Sequence, residues 1–227
     1  MALAPDAAGS RPALDKIYAS VDEAVADVGD DVTVMVGGFG GAGFPFALRE
    51  ALIRRRPRRI TIVCNNADFG GFVYPDGIVR MIASFPVGAT AGPLVEAIED
   101  GRVELGLTPQ GTLAEQIRAG GAGLGGVLTP TGIGTQFEQG HQRIDMDGRP
   151  YLLVPALRAD FALIRASVGD RFGNLVHRHA GRNFNPLMAM AARVTIAEVG
   201  ELVEPGEIHP DQVHTPAAFV DRVVHVP

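Results

Sequence analysis

The chain holds 227 residues, 46% hydrophobic and 20% charged, with 20 basic against 26 acidic side chains and a formal net charge of -6. Those proportions exclude a disordered or fibrous chain, and the negative balance excludes a surface built to collect nucleic acid. One cysteine, Cys64, excludes an intrachain disulfide.

Residues 1–14 carry neither a basic start nor a long apolar core, so they read as a loose tail rather than a signal peptide or anchor. Residues 15–227 read as one domain. Ser20 with Glu23 has the capping-box spacing and opens a helix to about residue 28. A strand over 32–36, apolar on both faces as a central parallel strand should be, runs into Gly37, Gly38, Phe39, Gly40, Gly41, Ala42, Gly43 and Phe44. This apolar run is far short of the roughly 20 residues that cross a membrane, and a cytoplasmic protein without a membrane partner is expected. Pro45 suits the first turn of a helix to about residue 55. Strands follow over 60–64, ending at Asn65-Asn66, and over 79–85. A helix over 94–100, a strand over 103–107, a turn over 108–111 and a helix over 112–119 come next.

Residues 120–135 are too rich in glycine for regular structure and suggest a loop held against a ligand or partner. Residues 143–154 form a hairpin turning at Asp147-Gly148, a pair suited to the positive φ values of tight turns. Strands over 159–166, 175–177, 194–199 and 220–226 complete the chain, with a helix near Pro186 that Asn185 would cap. The alternation of strands and helices specifies an α/β fold: a mostly parallel sheet flanked by helices, with a β-hairpin excursion.

Gly38-x-Gly40-x-x-Gly43 between strand and helix has the spacing of a dinucleotide-binding turn, but Cys64-Asn65-Asn66 stands where that motif needs an acid for the ribose. Five glycines within residues 37–43 exceed the needs of a turn. They suit a backbone surface on which an extended ligand lies close. Asn65, Asn66 and Gln110 follow strands at the edge where parallel sheets open their crevice, and neutral amides there donate to a carbonyl or carboxylate without titrating. An Asx turn that merely ends the strand is the competing account of the Asn pair.

Other candidates read more simply. His177 and His179 could share one face of a strand, but a zinc site needs three or four ligands, so a structural or surface role is preferred and no metal is expected. Arg54, Arg55, Arg56, Arg58 and Arg59 fall where a helix ends and complement its dipole; a phosphate contact is the alternative. Cys64 reads as a buried small side chain rather than a nucleophile.

Val34-Met35-Val36-Gly37-Gly38-Phe39 with Gly43-Phe44-Pro45 resembles the signature of the A (alpha) subunit of family I CoA-transferases. Asn65-Asn66-Ala67, residues 108–115, 120–123, 129–132 and 169–174, and Arg182-Asn183-Phe184-Asn185-Pro186 extend the resemblance over nearly the whole chain. One departure is Asp31, where the family usually has Gly or Asn. The resemblance implies a CoA-transferase-like open α/β fold. It also implies transfer of CoA from succinyl-CoA or acetyl-CoA to a 3-oxoacid, with 3-oxoadipate slightly ahead of acetoacetate. Coenzyme A would be part of the substrate rather than a permanent cofactor.

The partner it implies is a B (beta) subunit, in a heterodimer or heterotetramer, carrying the nucleophilic glutamate in a Ser-Glu-Asn-Gly motif. No Glu-Asn-Gly occurs here, so no catalytic nucleophile is assigned to this chain. Gly37, Gly38, Phe39, Gly40, Gly41, Ala42 and Gly43 would border the active site, and Asn65, Asn66 and Gln110 would contact CoA or the acyl group. A non-catalytic ligand sensor or a module like the sugar-phosphate isomerases is the rival reading.

Overall fold

A computed structural model describes residues 15–66, 70–85 and 92–227; the expected tail over 1–14 lies outside them. Strands β1 (Thr33–Val36), β2 (Ile60–Asn66), β3 (Ile78–Phe85), β4 (Glu104–Leu107), β8 (Ala159–Asp170), β9 (Leu175–Val176), β10 (Ala192–Val203) and β11 (Arg222–His225) form one sheet in the order β11-β10-β8-β1-β2-β3-β4. Every neighbouring pair along that path is parallel, and short β9 joins β8 antiparallel. The expected mostly parallel sheet is therefore present.

Strand alternation supplies both faces. Val34, Val36, Ile60, Ile62, Cys64, Phe161 and Leu163 face the layer holding α1 (Val21–Ala24), α2 (Phe46–Arg55) and α3 (Gly92–Glu99). Met35, Val63, Ala162 and Ile164 point the other way, toward α4 (Gln110–Gly121) and α5 (Asn185–Ala191). A second sheet, in the order β5 (Gly126–Thr129), β7 (Arg149–Pro155), β6 (Gln142–Met146), is antiparallel. Gln116 Nε2 on α4 donates to Pro155 O of β7 at 2.8 Å. Its hairpin turns at Asp147 and Gly148, with φ values of 51° and 73°, as the Asp-Gly pair requires.

Several boundaries differ from expectation for identifiable reasons. Ser20 Oγ accepts the Glu23 N–H at 3.1 Å as the capping box requires, yet α1 stops at Ala24. Arg222 and Arg55 take the Ala24 and Ala26 carbonyls at 2.7 and 3.0 Å, satisfying the end early. Residues 126–129 form a strand despite their glycine, because antiparallel pairing with β7 organises them. Strands β8 and β10 outrun their predicted ends because each is the other's ladder as far as Asp170 and Val203. Asp31 adopts φ 58°, the left-handed region that Gly and Asn favour; the departure thus keeps a residue type that tolerates this conformation.

Candidate active site

The carboxyl ends of β1, β2 and β3 and the start of α4 meet at one edge of the parallel sheet, where such sheets place their ligand crevice. Among the described residues a cleft of about 590 Å³ there is lined by Phe39, Gly40, Asn65, Asn66, Ser84, Phe85 and Gln110. Asn65 and Asn66 are the last residues of β2, with Asn66 paired to Phe85. They are ladder residues of that strand. Gln110 is the first residue of α4 after the Pro109 cap rather than part of a preceding turn. The helix's unpaired N–H groups therefore open toward the cleft with their positive dipole end.

A backbone donor fixes the orientation of the amides. The Gly40 N–H can only donate, so the Asn66 atom 3.0 Å away is Oδ1. Asn65 Nδ2 donates to the same oxygen at 3.3 Å. Asn65 Oδ1 is then left to accept from Gln110 Nε2 at 2.7 Å and Ser84 Oγ at 2.9 Å. This chain of bonds leaves Asn66 Nδ2 as a donor and Gln110 Oε1 as an acceptor without partners among the described residues. Asn65 is 4% exposed, so it serves as the internal brace that orients the other two.

The loop over residues 37–43 divides between two hollows. Phe39 and Gly40 line the main cleft; Ala42 and Gly43 line a separate 330 Å³ hollow with Arg165, Ser167 and residues 177–181. Gly37 and Gly38 are buried beneath the loop, and Gly41 is exposed at its tip. Phe39 and Ala42 exchange backbone hydrogen bonds at 3.0 Å. Gly38, Gly40, Gly41 and Gly43 all have positive φ. The N–H groups of Gly38, Gly41 and Gly43 have no partner among the described residues. Such a loop offers unpaired donors that a chain with side chains could not hold in this shape.

The described lining of the cleft offers hydrogen-bonding groups and apolar rings. Among the described lining residues none carries a side chain that titrates near neutral pH, and the Ser84 hydroxyl is engaged with Asn65 rather than with a base. Phe39 and Phe85 stand at its rim, 45% and 60% exposed.

Sequence reasoning missed Ser84, whose only signal was its place one residue before the end of a parallel strand. It also misassigned Asn185. The α5 cap is Phe184, and Asn185 is wholly buried, with its side chain turned back toward Gly43 and Gly181. An ion pair between the buried Glu198 and the partly exposed Arg165 was missed as well. Glu198 Oε1 accepts from Arg165 Nη1 at 2.6 Å and its Oε2 from the Leu48 N–H at 3.0 Å. Burial pushes the Glu198 carboxyl up from its ordinary value, against the pull of Leu48 and Arg165.

The other candidates lie elsewhere. β9 ends at Val176, so His177 and His179 do not share a strand face. His177 Nδ1 donates to Arg165 O and Nε2 accepts from Thr215 Oγ1, each at 3.0 Å, and burial holds the imidazole down at about 4. Burial likewise raises the Cys64 thiol, which keeps it protonated. The arginines of residues 54–59 sit at the amino end of β2, a strand length or about 20 Å from Asn65. Arg54 and Arg58 pair with Asp22 and Asp30 at 2.7 and 3.0 Å, and Arg59 pairs with Asp31. Arg56 stacks 4.4 Å from the Tyr74 ring centre.

Residues 18–226 match the family model described as Coenzyme A transferase. The chain belongs to the coenzyme A transferase family. Within it, the chain is 44% identical over 218 residues to the A subunit of a 3-oxoadipate CoA-transferase from Acinetobacter baylyi, covering 94% of this chain and 96% of the relative. It is 46% identical over 199 residues to the alpha subunit of an acetate CoA-transferase from Escherichia coli K12, covering 86% and 90%. The fold matches an acyl-CoA transferase of Escherichia coli O157:H7, solved as a thioester complex with CoA, at a TM-score of 0.84 and 22% identity. That match covers 94% of this family member but only 47% of the solved chain, so the chain spans about half of its length.

Proposed function

We propose that residues 15–227 act as one domain, the A (alpha) half of a two-subunit CoA-transferase, and supply the binding side of its active site. The observation that carries this reading is the cleft itself: aligned neutral amides, with no nucleophile or base among the described lining residues. The nucleophilic glutamate then comes from a B subunit. It attacks the acyl-CoA thioester to give an acyl-glutamyl anhydride and CoA thiolate. The thiolate then attacks the glutamyl carbonyl of the anhydride, releasing the donor acid as its carboxylate and leaving a glutamyl-CoA thioester. The acceptor carboxylate displaces the thiolate from it, and the thiolate attacks the acceptor's acyl carbon to give the new acyl-CoA and free the glutamate, closing a ping-pong cycle. In each addition negative charge gathers on a carbonyl oxygen. A neutral donor such as Asn66 Nδ2 stabilises that charge without pairing with the attacking carboxylate.

The donor is succinyl-CoA or acetyl-CoA and the acceptor a 3-oxoacid, with 3-oxoadipate ahead of acetoacetate. Relatives named for 3-oxoadipate and for acetate are about equally similar, at 44% and 46% identity, so this order rests on the sequence resemblance alone. Coenzyme A enters and leaves as substrate. Calorimetry tests the class: with the partner subunit present, CoA esters bind and sugar phosphates do not. Binding of sugar phosphates alone would transfer the chain to the isomerase-like or sensor reading.

A further inference from the structure

The loop over residues 37–43 is bonded at its Gly43 end, and packed at its Gly37 end, by a buried polar side chain that lies outside it. The Asn185 side chain, on the first turn of α5, fills the space between the loop's two ends. Its Nδ2 donates to Gly43 O at 3.0 Å and to Gly181 O at 2.8 Å, and its Oδ1 accepts from the Arg165 N–H at 3.1 Å. A Cβ on Gly37 would lie 1.9 Å from Asn185 Oδ1, and one on Gly43 would lie 2.7 Å from Asn185 Nδ2. These two glycines are small because the amide occupies the room a side chain would need.

The helix that follows the loop is gripped in the same way. Its cap, Pro45, offers no side-chain hydrogen bond, and the wholly buried Glu198 reaches in from β10 to accept the Leu48 N–H. Arg165 joins the two grips, through its backbone to Asn185 and its guanidinium to Glu198. An ion pair whose acid is wholly buried and whose base is about a third exposed adds little net stability, so stability alone gives little reason for Arg165 and Glu198. Each of the two buried groups, however, also bonds to the loop or to the helix start behind it, Asn185 through Gly43 O and Glu198 through the Leu48 N–H.

We propose that Asn185 and Glu198 are positioning residues that hold the loop over residues 37–43 in its shape. The importance of that shape to catalysis rests on the transferase reading; the grip itself does not. Two variants test it, Asn185→Ala and the isosteric Glu198→Gln, which keeps an acceptor for Leu48 and removes the charge opposite Arg165. The first readout is backbone hydrogen exchange in the purified chain. The hydrogen-bonded amides of Phe39, Gly40, Ala42 and Phe44 should exchange about tenfold faster or more in each variant, while those of β2 and β11 keep their wild-type rates.

The second readout is kinetics of the complex with the partner subunit. There kcat should fall roughly tenfold to a hundredfold, with KM for the acyl-CoA within about threefold, because the Asn66 and Gln110 contacts are retained. Wild-type exchange in the loop of a folded Glu198→Gln chain would overturn the proposal, whatever the activity. Faster loop exchange beside an inactive wild-type complex would support the grip and sink the transferase reading instead.

Discussion

Replacing Gln110 by alanine separates a binding role from a structural one. The side chain gives one hydrogen bond, Nε2 to Asn65 Oδ1 at 2.7 Å, and that buried acceptor keeps Ser84 Oγ at 2.9 Å. No buried group is orphaned, so the loss is that of an ordinary internal hydrogen bond, about 1 kcal/mol. Alanine at the first position of α4 costs nothing in helix propensity. For a domain of this size the melting temperature should fall by about 2–4 °C. Gln110 Nε2 keeps a second N–H beyond the one given to Asn65. A hydrogen bond from it to negative charge developing on the substrate is worth about 1.5–3 kcal/mol, and its loss lowers kcat/KM roughly tenfold to 150-fold. The assay pairs a thermal melt of the variant with steady-state CoA transfer by its complex with the partner subunit. A kcat/KM within about threefold of wild type would remove Gln110 from the site, and a melting point lowered by more than about 10 °C would make its role structural.

Three further outcomes follow from the same structure. Gly37→Ala drives a Cβ into Asn185 Oδ1 and should cost about 2–4 kcal/mol in urea denaturation. Gly111→Ala, in α4 with open space around it, should instead add about 0.5–1 kcal/mol; equal effects at the two sites would refute the packing argument. His177 is held neutral by burial, at about 4 against 6.5 for the free side chain. The unfolded chain thus binds a proton between those values that the folded chain does not, and stability falls as pH drops through that window, by up to about 3 kcal/mol. Urea midpoints from pH 7 to 4.5 check this. A His177→Asn variant should show a shallower slope, and a slope identical to wild type would contradict the assignment.

The fold was legible wherever periodicity alone decides structure. The strands of residues 32–36 and 60–64 are apolar on both faces, and that pattern has one comfortable home, the middle of a parallel sheet. The cleft was half legible. Asn65, Asn66 and Gln110 could be placed at strand ends by counting, but Ser84 could not, because nothing in an isolated serine shows that its hydroxyl meets an amide on the next strand. Asn185 was misjudged because Asn before Pro is a good local cap, and only tertiary structure reveals that the side chain satisfies the Gly43 and Gly181 carbonyls. Arg165 and Glu198 lie on different strands, so their pairing appears only when β8 and β10 align.

The most direct test is reconstitution. The purified chain is assayed for CoA transfer from succinyl-CoA to 3-oxoadipate alone, with a B subunit bearing Ser-Glu-Asn-Gly, and with that B subunit carrying glutamine for the glutamate. Transfer is expected only in the second mixture, together with a glutamyl-CoA thioester on the B subunit when acceptor is withheld. Transfer by the isolated chain, or by the mixture lacking the glutamate, would contradict the division of labour between the two chains.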